Sequence, residues 1–259
     1  MNSQLLRVSY ALARRALRNL LRRPQFLVPL LLFPTLFLAV NVGGLQRTTA
    51  LPGFPKVHGF LDFQLAAAMT QSLLLGGISQ GIAAALEIEG GFFDRLAAAP
   101  IPRLAIVLGR LGAAAAIAAV QVVFFLLLGL VFGAHIQGGV PGVLLVLAIG
   151  IVAGTGFGAL GVALALRARS ASTLQGIFPL VFVILFISSA FFPRNLLESP
   201  IDTVANYNPL SYIANGLRNP IIHAIDSKLV LEGLAAGAGV ALVAMTLAVV
   251  ALRGTLRDA

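Results

Sequence analysis

The sequence predicts an all-α integral membrane protein with six transmembrane helices. Of its 259 residues, 59% are hydrophobic and only 10% are charged, whereas an average soluble domain is about a quarter charged. So few polar side chains cannot cover a water-soluble fold of this size, and lipid is the expected solvent for most of the surface. Six apolar runs are each near or above the roughly 20 residues that cross about 30 Å of hydrocarbon. None shows the alternating pattern of a barrel strand, so helices are expected.

The stretch before the first run, residues 1–24, predicts an amphipathic interfacial helix. It contains six arginines, and at helical spacing five of them fall within one arc of about 100°: Arg7, Arg14, Arg15, Arg18 and Arg22. Leucines lie on the other side, and Pro24 ends the pattern. Such a helix suits the headgroup layer of an anionic leaflet, and the same arginines would also set orientation. A cleavable signal peptide is not expected, because no small-residue cleavage site follows the first apolar run.

The predicted spans follow one another within a single transmembrane domain, 1–259. They cover residues 26–45, 63–86, 106–132, 141–166, 174–192 and 229–252. A loop at 87–104 joins the second and third spans. The segment 193–228 joins the fifth and sixth, and its prolines permit short helices but no further full span.

The positive charges predict that both termini lie in the cytosol. With the N-terminus inside, 13 Lys and Arg residues fall on the cytosolic side and 5 on the outer side, which satisfies the positive-inside rule. The net charge of +9 could suggest nucleic acid. However, the charges lie at the ends of the apolar runs, as membrane topology requires, so no nucleic-acid partner is expected.

Catalytic and metal-binding patterns are missing from the sequence. The chain has no cysteine, and its three histidines have no partner at ligand spacing. It contains no P-loop, HExxH or GxSxG motif. No ionisable group lies in mid-membrane, where ion-coupled carriers usually need one. We therefore expect a membrane component that is not an enzyme and that another protein powers.

The loop after the second span is the most informative local feature. Glu87 and Glu89 end the span, and the pair Gly90-Gly91 breaks the helix. An amphipathic piece, Phe92-Phe93-Asp94-Arg95-Leu96, then leads to Pro100. It has the character of a short helix that docks into a groove of a partner. The alternative is an ordinary polar turn whose charges are only solvated.

Two motifs in this sequence resemble those of type-2 ABC exporter permeases. The first runs from Glu87 through Gly91 and Leu96 to Pro100 and is followed by Arg103 and Gly109-Arg110. It is similar to that family's "E-x-G-T-x-x-x-L-x-x-x-P … G-K" signature, with Phe92 where the family often has threonine. The second motif is Phe191-Phe192-Pro193, then Asn208-Pro209-Leu210-Ser211-Tyr212 and Arg218. It looks like the "F-P … N-P-L-x-Y … R" segment, particularly of the daunorubicin-type drug-export branch.

The resemblance implies an ATP-driven exporter in a bacterial plasma membrane. Two permease chains, expected to be identical, would pair with two P-loop ATP-binding subunits. These subunits, and not this chain, would bind ATP and Mg. The ATPase-coupling helix would comprise Glu87, Glu89, Gly91, Phe92, Phe93, Asp94, Arg95, Leu96 and Pro100. The outer segment would form short re-entrant helices containing Pro193, Asn208, Pro209, Tyr212 and Arg218.

Aromatic rings share one face of the first span and one face of the fifth. They are Phe33 and Phe37 on the first, and Phe178, Phe182 and Phe186 on the fifth. Because these spans commonly line the dimer interface in the family, the rings are candidates for that interface or for a substrate pathway. Lipid-facing or core packing is the alternative. Spans without strong charge suit a hydrophobic or amphiphilic cargo, such as a drug, a lipid or a lipid-linked glycan.

Several residues and functions stay open at this stage. Glycines at four-residue spacing predict close helix packing within one chain, or else a dimer seam. Arg194 and Arg218 would attract an anionic substrate head or anchor the outer interface. Two other functions remain possible: a secondary carrier and a non-transporting membrane assembly factor.

Overall fold

The computed structural model describes residues 3–22, 24–92, 95–96 and 102–255. All regular secondary structure in these ranges is helical. The α-helices are α1 (Ser3–Leu21), α2 (Pro24–Leu45), α3 (Phe60–Glu89), α4 (Arg103–Val131), α5 (Gly139–Ala168), α6 (Ala171–Phe186), α7 (Ile201–Tyr207), α8 (Pro209–Ile222) and α9 (Ser227–Thr255). Short 3-10 turns occupy Gln46–Ala50 and Arg194–Leu196.

Helix α3 lies at the centre of the bundle. It packs against α2, α4, α5, α6 and α8, and it is buried along most of its length. Its 30 residues span about 45 Å, so Phe63 and Glu87 lie near opposite ends. We call the end at which Phe63 contacts Arg218 the Arg218 end of the bundle. The opposite end, which contains Glu87, is the Glu87 end.

Small residues let α3 and α5 touch backbone to backbone. A Cβ built on Gly77 would lie 2.5 Å from the Phe157 carbonyl oxygen, and one on Gly161 would overlap the Gly77 carbonyl. On α9, Gly233 meets Gly216 of α8 in the same way. Packing within one chain, one of the two interpretations of the glycine spacing, is confirmed at these positions.

Four of the six predicted spans correspond to helices that are long and apolar enough to cross a membrane. By length and composition within the described residues, these are Leu27–Ala50, Leu104–Val131, Gly139–Ala168 and Ser227–Leu252. The second predicted span lies within α3, which is long enough to cross but contains many buried polar residues. The complete six-span arrangement therefore remains a proposal.

The fifth predicted span, 174–192, is too long as a helix. Helix α6 has 16 residues and ends at Phe186, because the backbone beyond it bonds to side chains instead. The Ser189 amide donates to the Ser211 hydroxyl, and the Ala190 amide donates to the Ser188 hydroxyl. The carbonyls of Ser189 and Ala190 both accept from Arg218.

Helix α1 packs along the first half of α4. A Cβ built on Gly109 would lie 2.6 Å from the Leu12 Cβ, and one built on Gly112 would lie 3.2 Å from the Ala13 Cβ. The amphipathic helix is thus observed. Its predicted place in the headgroup layer stays a prediction.

Candidate functional site

Glu87 joins three elements at its end of the bundle. Its Oε2 lies 2.5 Å from the Arg110 Nη2 of α4, and its Oε1 lies 3.4 Å from the Arg15 Nη1 of α1. All three side chains are partly exposed, so the ion pairs are only partly shielded from solvent. One carboxylate of α3 therefore holds α1 and α4 together.

Glu89 caps the first turn of α6. Its Oε1 accepts a hydrogen bond of 2.8 Å from the amide of Ala171 in the first turn of α6. The hydroxyl of Ser170 accepts a second amide of that turn, from Thr173. A negative charge at a helix N-terminus satisfies free amides and complements the helix dipole. This bond joins the end of α3 to the start of α6.

The chain turns away from α3 at the predicted glycine pair. Gly91 has φ +66°, a left-handed conformation that glycine adopts without steric cost at a helix end. After the turn, the Phe92 ring lies 3.5 Å below the Arg15 guanidinium, and Leu96 packs against a buried cluster around Ile106. Arg95 is exposed. Phe93, Asp94 and Pro100, which belong to the predicted coupling helix, lie outside the described residues.

A polar cavity of about 130 Å³ lies beside Glu87. The charged residues Arg15, Glu87 and Arg110 line it together with Asn19 and Gln80. It sits between α1, α3 and α4, where the ion pairs meet. The Glu87 end therefore contains a charge cluster beside a cavity that is large enough for water, and not a closely packed core.

The candidate aromatic residues form one continuous row of rings between α2 and α6. Ring centroids lie 5.4 Å apart for Phe33 and Phe182 and 5.8 Å apart for Phe37 and Phe186. Phe178 continues the row along α6, 5.3 Å from Phe182. Phe33, Phe178 and Phe186 keep between 38% and 44% of their surface exposed. The row thus holds α2 against α6 and also presents an apolar edge to the outside.

Phe191 extends this row and was not among the predicted site residues. Its ring lies 5.0 Å from that of Phe186 and 5.8 Å from that of Phe37. It is almost completely buried. The motif Phe191-Phe192-Pro193 was a signal in the sequence, but only the fold shows that Phe191 is buried.

Arg218 is buried inside the bundle with 4% of its surface exposed. Its Nε donates to the Phe63 carbonyl at 3.2 Å, and its terminal nitrogens donate to the carbonyls of Ser189 and Ala190 and to the Asn215 side chain. The guanidinium also lies 3.8 Å from the Phe63 ring centroid. Neither suggested role, attracting an anionic head or anchoring at the interface, fits this burial. The reason is that the carbonyls of Ser189 and Ala190 lie beyond the end of α6 and accept hydrogen bonds from Arg218 instead of from their own helix.

The remaining residues of the second motif organise α8. Asn208 caps the helix by accepting the Leu210 amide and also donates to the Ile184 carbonyl of α6, at 2.8 Å. Pro209 occupies the first turn of α8, where its missing amide costs nothing. Tyr212 donates to the Asn206 carbonyl. These contacts tie α8 to the end of α6.

The ring of Tyr212 also lies beside Arg194, which belongs to the segment that begins at Pro193. The Arg194 guanidinium lies 5.4 Å from the Tyr212 ring centroid, and Pro193 is buried where it starts the 3-10 turn. Within the described residues, the Arg194 Nε is buried without a hydrogen-bond partner. Arg194 therefore has a buried nitrogen that is left without a partner in this part of the chain, whereas each nitrogen of Arg218 donates at least once.

Two histidines that are distant in sequence are close in the fold. The rings of His58 and His135 lie 5.0 Å apart, and the Asp62 carboxylate accepts the His135 amide. Among the described residues, no group of three or more His, Cys, Asp or Glu could hold a metal ion.

Comparison with known proteins assigns a family to this arrangement. The family model described as ABC-2 type transporter matches residues 7–222. No curated protein matches the chain. The matched stretch begins in α1, includes the Glu87 and Arg218 ends, and finishes at the last residue of α8.

Proposed function

Because this chain belongs to the ABC-2 type transporter family, we propose that it is the permease subunit of an ATP-driven exporter. Separate P-loop ATP-binding subunits, two copies for two permease chains, would supply ATP and Mg. The observation that supports this most directly is the family match over the segment that contains the Glu87 end. The cargo would be hydrophobic or amphiphilic, as in the drug-export branch, because the apolar helices carry few charges.

The proposed coupling site is the chain from Glu87 to Pro100. Glu87 and Glu89 are already bonded to α1, α4 and α6, so we assign them to transmission and not to contact with the ATPase. Arg95 is exposed just beyond the turn and would meet the ATPase directly. A push on this segment would then move three helices at once.

A pull-down tests the coupling site. We expect a P-loop ATPase to co-purify in mild detergent with the tagged chain from native membranes, and Arg95→Glu to abolish its recovery by reversing an exposed charge at the contact. The matched control is Arg47→Glu, which reverses an equally exposed charge on the proposed outer side. Mass spectrometry identifies what stays bound. A chain that is recovered alone would reject the ATPase partnership and favour a carrier or an assembly factor.

The proposed dimer interface is the exposed edge of the aromatic row. Its three exposed rings are carried by α2 and α6, which have large apolar side chains facing outward. Such an edge suits either a second copy of the chain or a hydrophobic substrate that moves between two copies. The face of α9 is also apolar and exposed and would contact lipid.

Cysteine cross-linking distinguishes these two faces, because the chain contains no cysteine of its own. We expect Phe186→Cys to form a disulfide-linked dimer under mild oxidation in membranes. Two cysteines can be bridged only if their Cα atoms come within about 7 Å, so a disulfide would place Phe186 at the interface. Val243→Cys on α9, which is 62% exposed, serves as the control and should stay monomeric. Cross-linking at Val243 with none at Phe33, Phe178 or Phe186 would move the interface to α9.

The proposed topology places the Glu87 end in the cytosol and the Arg218 end outside, with both termini cytosolic in a bacterial plasma membrane. The supports are the excess of Lys and Arg on one side and the apolar helices of the bundle. Helices α7 and α8 would be the short re-entrant pair. Their lengths of 7 and 14 residues are too short to cross the bilayer.

A further inference from the structure

An open groove runs between α1 and α4 on the side away from Glu87. It has a volume of about 420 Å³ and is bounded by residues 6–17 of α1 and 108–116 of α4. Its walls are mainly apolar and include Leu6 and Leu17 of α1 and Leu108 and Ala116 of α4. This size falls within the roughly 300–1,000 Å³ typical of small-molecule sites.

The groove exists because α1 contacts α4 along a line of small residues. Gly112 and Ala13 meet where the two helices touch, and Leu6 and Leu108 beside that line stay exposed. Leu6 is 52% exposed and Leu108 is 37% exposed. A contiguous apolar strip of this kind calls for an apolar occupant.

A cationic side chain stands at the edge of this apolar strip. Arg14 and Arg15 are sequence neighbours, so they point about 100° apart around α1. Arg15 turns toward Glu87, whereas Arg14 lines the groove and is exposed. Among the described residues, no carboxylate lies within ion-pair distance of Arg14. The groove therefore combines an apolar trough with an uncompensated positive charge.

We propose that this groove binds one acyl chain of an anionic phospholipid and that Arg14 binds its phosphate. The trough matches a hydrocarbon chain, and the charge complements an anionic headgroup. Arg15, tied to Glu87 and Phe92, lies on the opposite flank of the same helix. A lipid in the groove would thus fix the position of the helix that holds the Glu87 end together. The inference requires only that the chain is embedded in a membrane, and it does not depend on the cargo or on ATP.

Fluorescence quenching tests the site, because the chain has no tryptophan. Tyr10 lines the groove, so Tyr10→Trp gives a single reporter in vesicles of phosphatidylcholine doped with a lipid brominated on its acyl chains. We expect brominated phosphatidylglycerol to quench at a lower mole fraction than brominated phosphatidylcholine. Adding Arg14→Gln should reduce this preference about five-fold, the effect of removing one basic contact at a membrane surface.

Two further variants separate a built site from general attraction to an anionic surface. Arg7→Gln removes an exposed arginine of the same helix that does not line the groove, and the preference for phosphatidylglycerol should remain. Ala116→Phe fills the trough and should weaken quenching by both brominated lipids. Equal losses from Arg7→Gln and Arg14→Gln would overturn the proposal, as would unchanged quenching in Ala116→Phe. A reporter that neither lipid quenches would also overturn it and would place a protein partner in the groove.

Discussion

The two ends of α3 both use arginine to join helices, yet their chemistry differs. At the Glu87 end, Arg15 and Arg110 share one carboxylate and border a polar cavity. At the other end, Arg218 is buried and its hydrogen-bond acceptors are three main-chain carbonyls and one amide side chain. Partly exposed ion pairs contribute little energy each and rearrange easily. A buried guanidinium that satisfies several carbonyls fixes one geometry, because each lost bond leaves a buried acceptor unpaired.

This contrast suggests a division of labour in the proposed exporter. The Glu87 end contains adjustable contacts where a partner would push, and the Arg218 end contains fixed contacts where α3, α6 and α8 meet. The aromatic row along α6 runs between the two ends. Motion that enters at Glu89 would therefore pass along α6 toward a rigid junction.

The largest expected effect is at Arg218. Arg218→Met leaves the carbonyls of Phe63, Ser189 and Ala190 without partners, and we expect the free energy of unfolding to fall by about 3 kcal/mol. Arg218→Lys should be nearly as damaging, because an ammonium group cannot reach all three carbonyls from one position. Unfolding in mixed detergent micelles, followed by circular dichroism, measures both. If Arg218→Lys were as stable as the unmodified protein, charge and not hydrogen-bond geometry would be what matters there.

Two buried glutamines in the middle of the bundle should give intermediate changes, of opposite sign, in the free energy of unfolding. The Gln121 amide donates to the Ser72 carbonyl and hydroxyl, and Ser72 in turn donates to the Leu30 carbonyl of α2. Gln71 is equally buried, but neither of its amide atoms has a partner within the described residues. We expect Gln121→Leu to destabilise the protein by about 1.5 kcal/mol and Gln71→Leu to stabilise it by about 1 kcal/mol. The same unfolding assay checks the pair.

A Gln71→Leu variant that is more stable but no longer transports would reveal a functional role for this side chain. It would mark Gln71 as a polar group kept unpaired for the pathway, since an unsatisfied buried amide is otherwise a cost. Equal losses in the two variants would instead show that Gln71 has a partner in the membrane-embedded protein.

The smallest expected effect is at Glu89. Glu89→Ala removes the acceptor for the Ala171 amide, and the first turn of α6 should lose about 0.5 kcal/mol of local stability. Hydrogen–deuterium exchange measures this as faster exchange of that turn, with little change at the Arg218 end. Glu89→Gln keeps an acceptor oxygen without the charge and is the matched control. Unchanged exchange in Glu89→Ala would show that Glu89 does not transmit motion to α6.

Helix α1 shows what the helical period of the sequence can predict and what it cannot. The arc of arginines predicted α1 correctly, because a single helix fixes which side chains share a face. It could not show that Arg15 at one edge of the arc meets Glu87, while Arg14 at the other edge lines a groove. Those roles depend on where α4 lies, which no local pattern contains.

From the amino-acid sequence we could predict the helical class, the glycine turn after Glu89 and short helices in the segment 193–228, and four of the six predicted spans correspond to apolar helices of membrane-spanning length. Each follows from composition, period or backbone preference within a few residues. Packing between distant segments was needed to show that Glu89 caps α6, that Arg218 is buried, that α6 ends at Phe186 and that Phe191 joins the aromatic row. These outcomes depend on partners that are 82 residues away for Glu89 and 155 for Arg218. A buried polar group is placed by the acceptors around it, and packing brings those acceptors together.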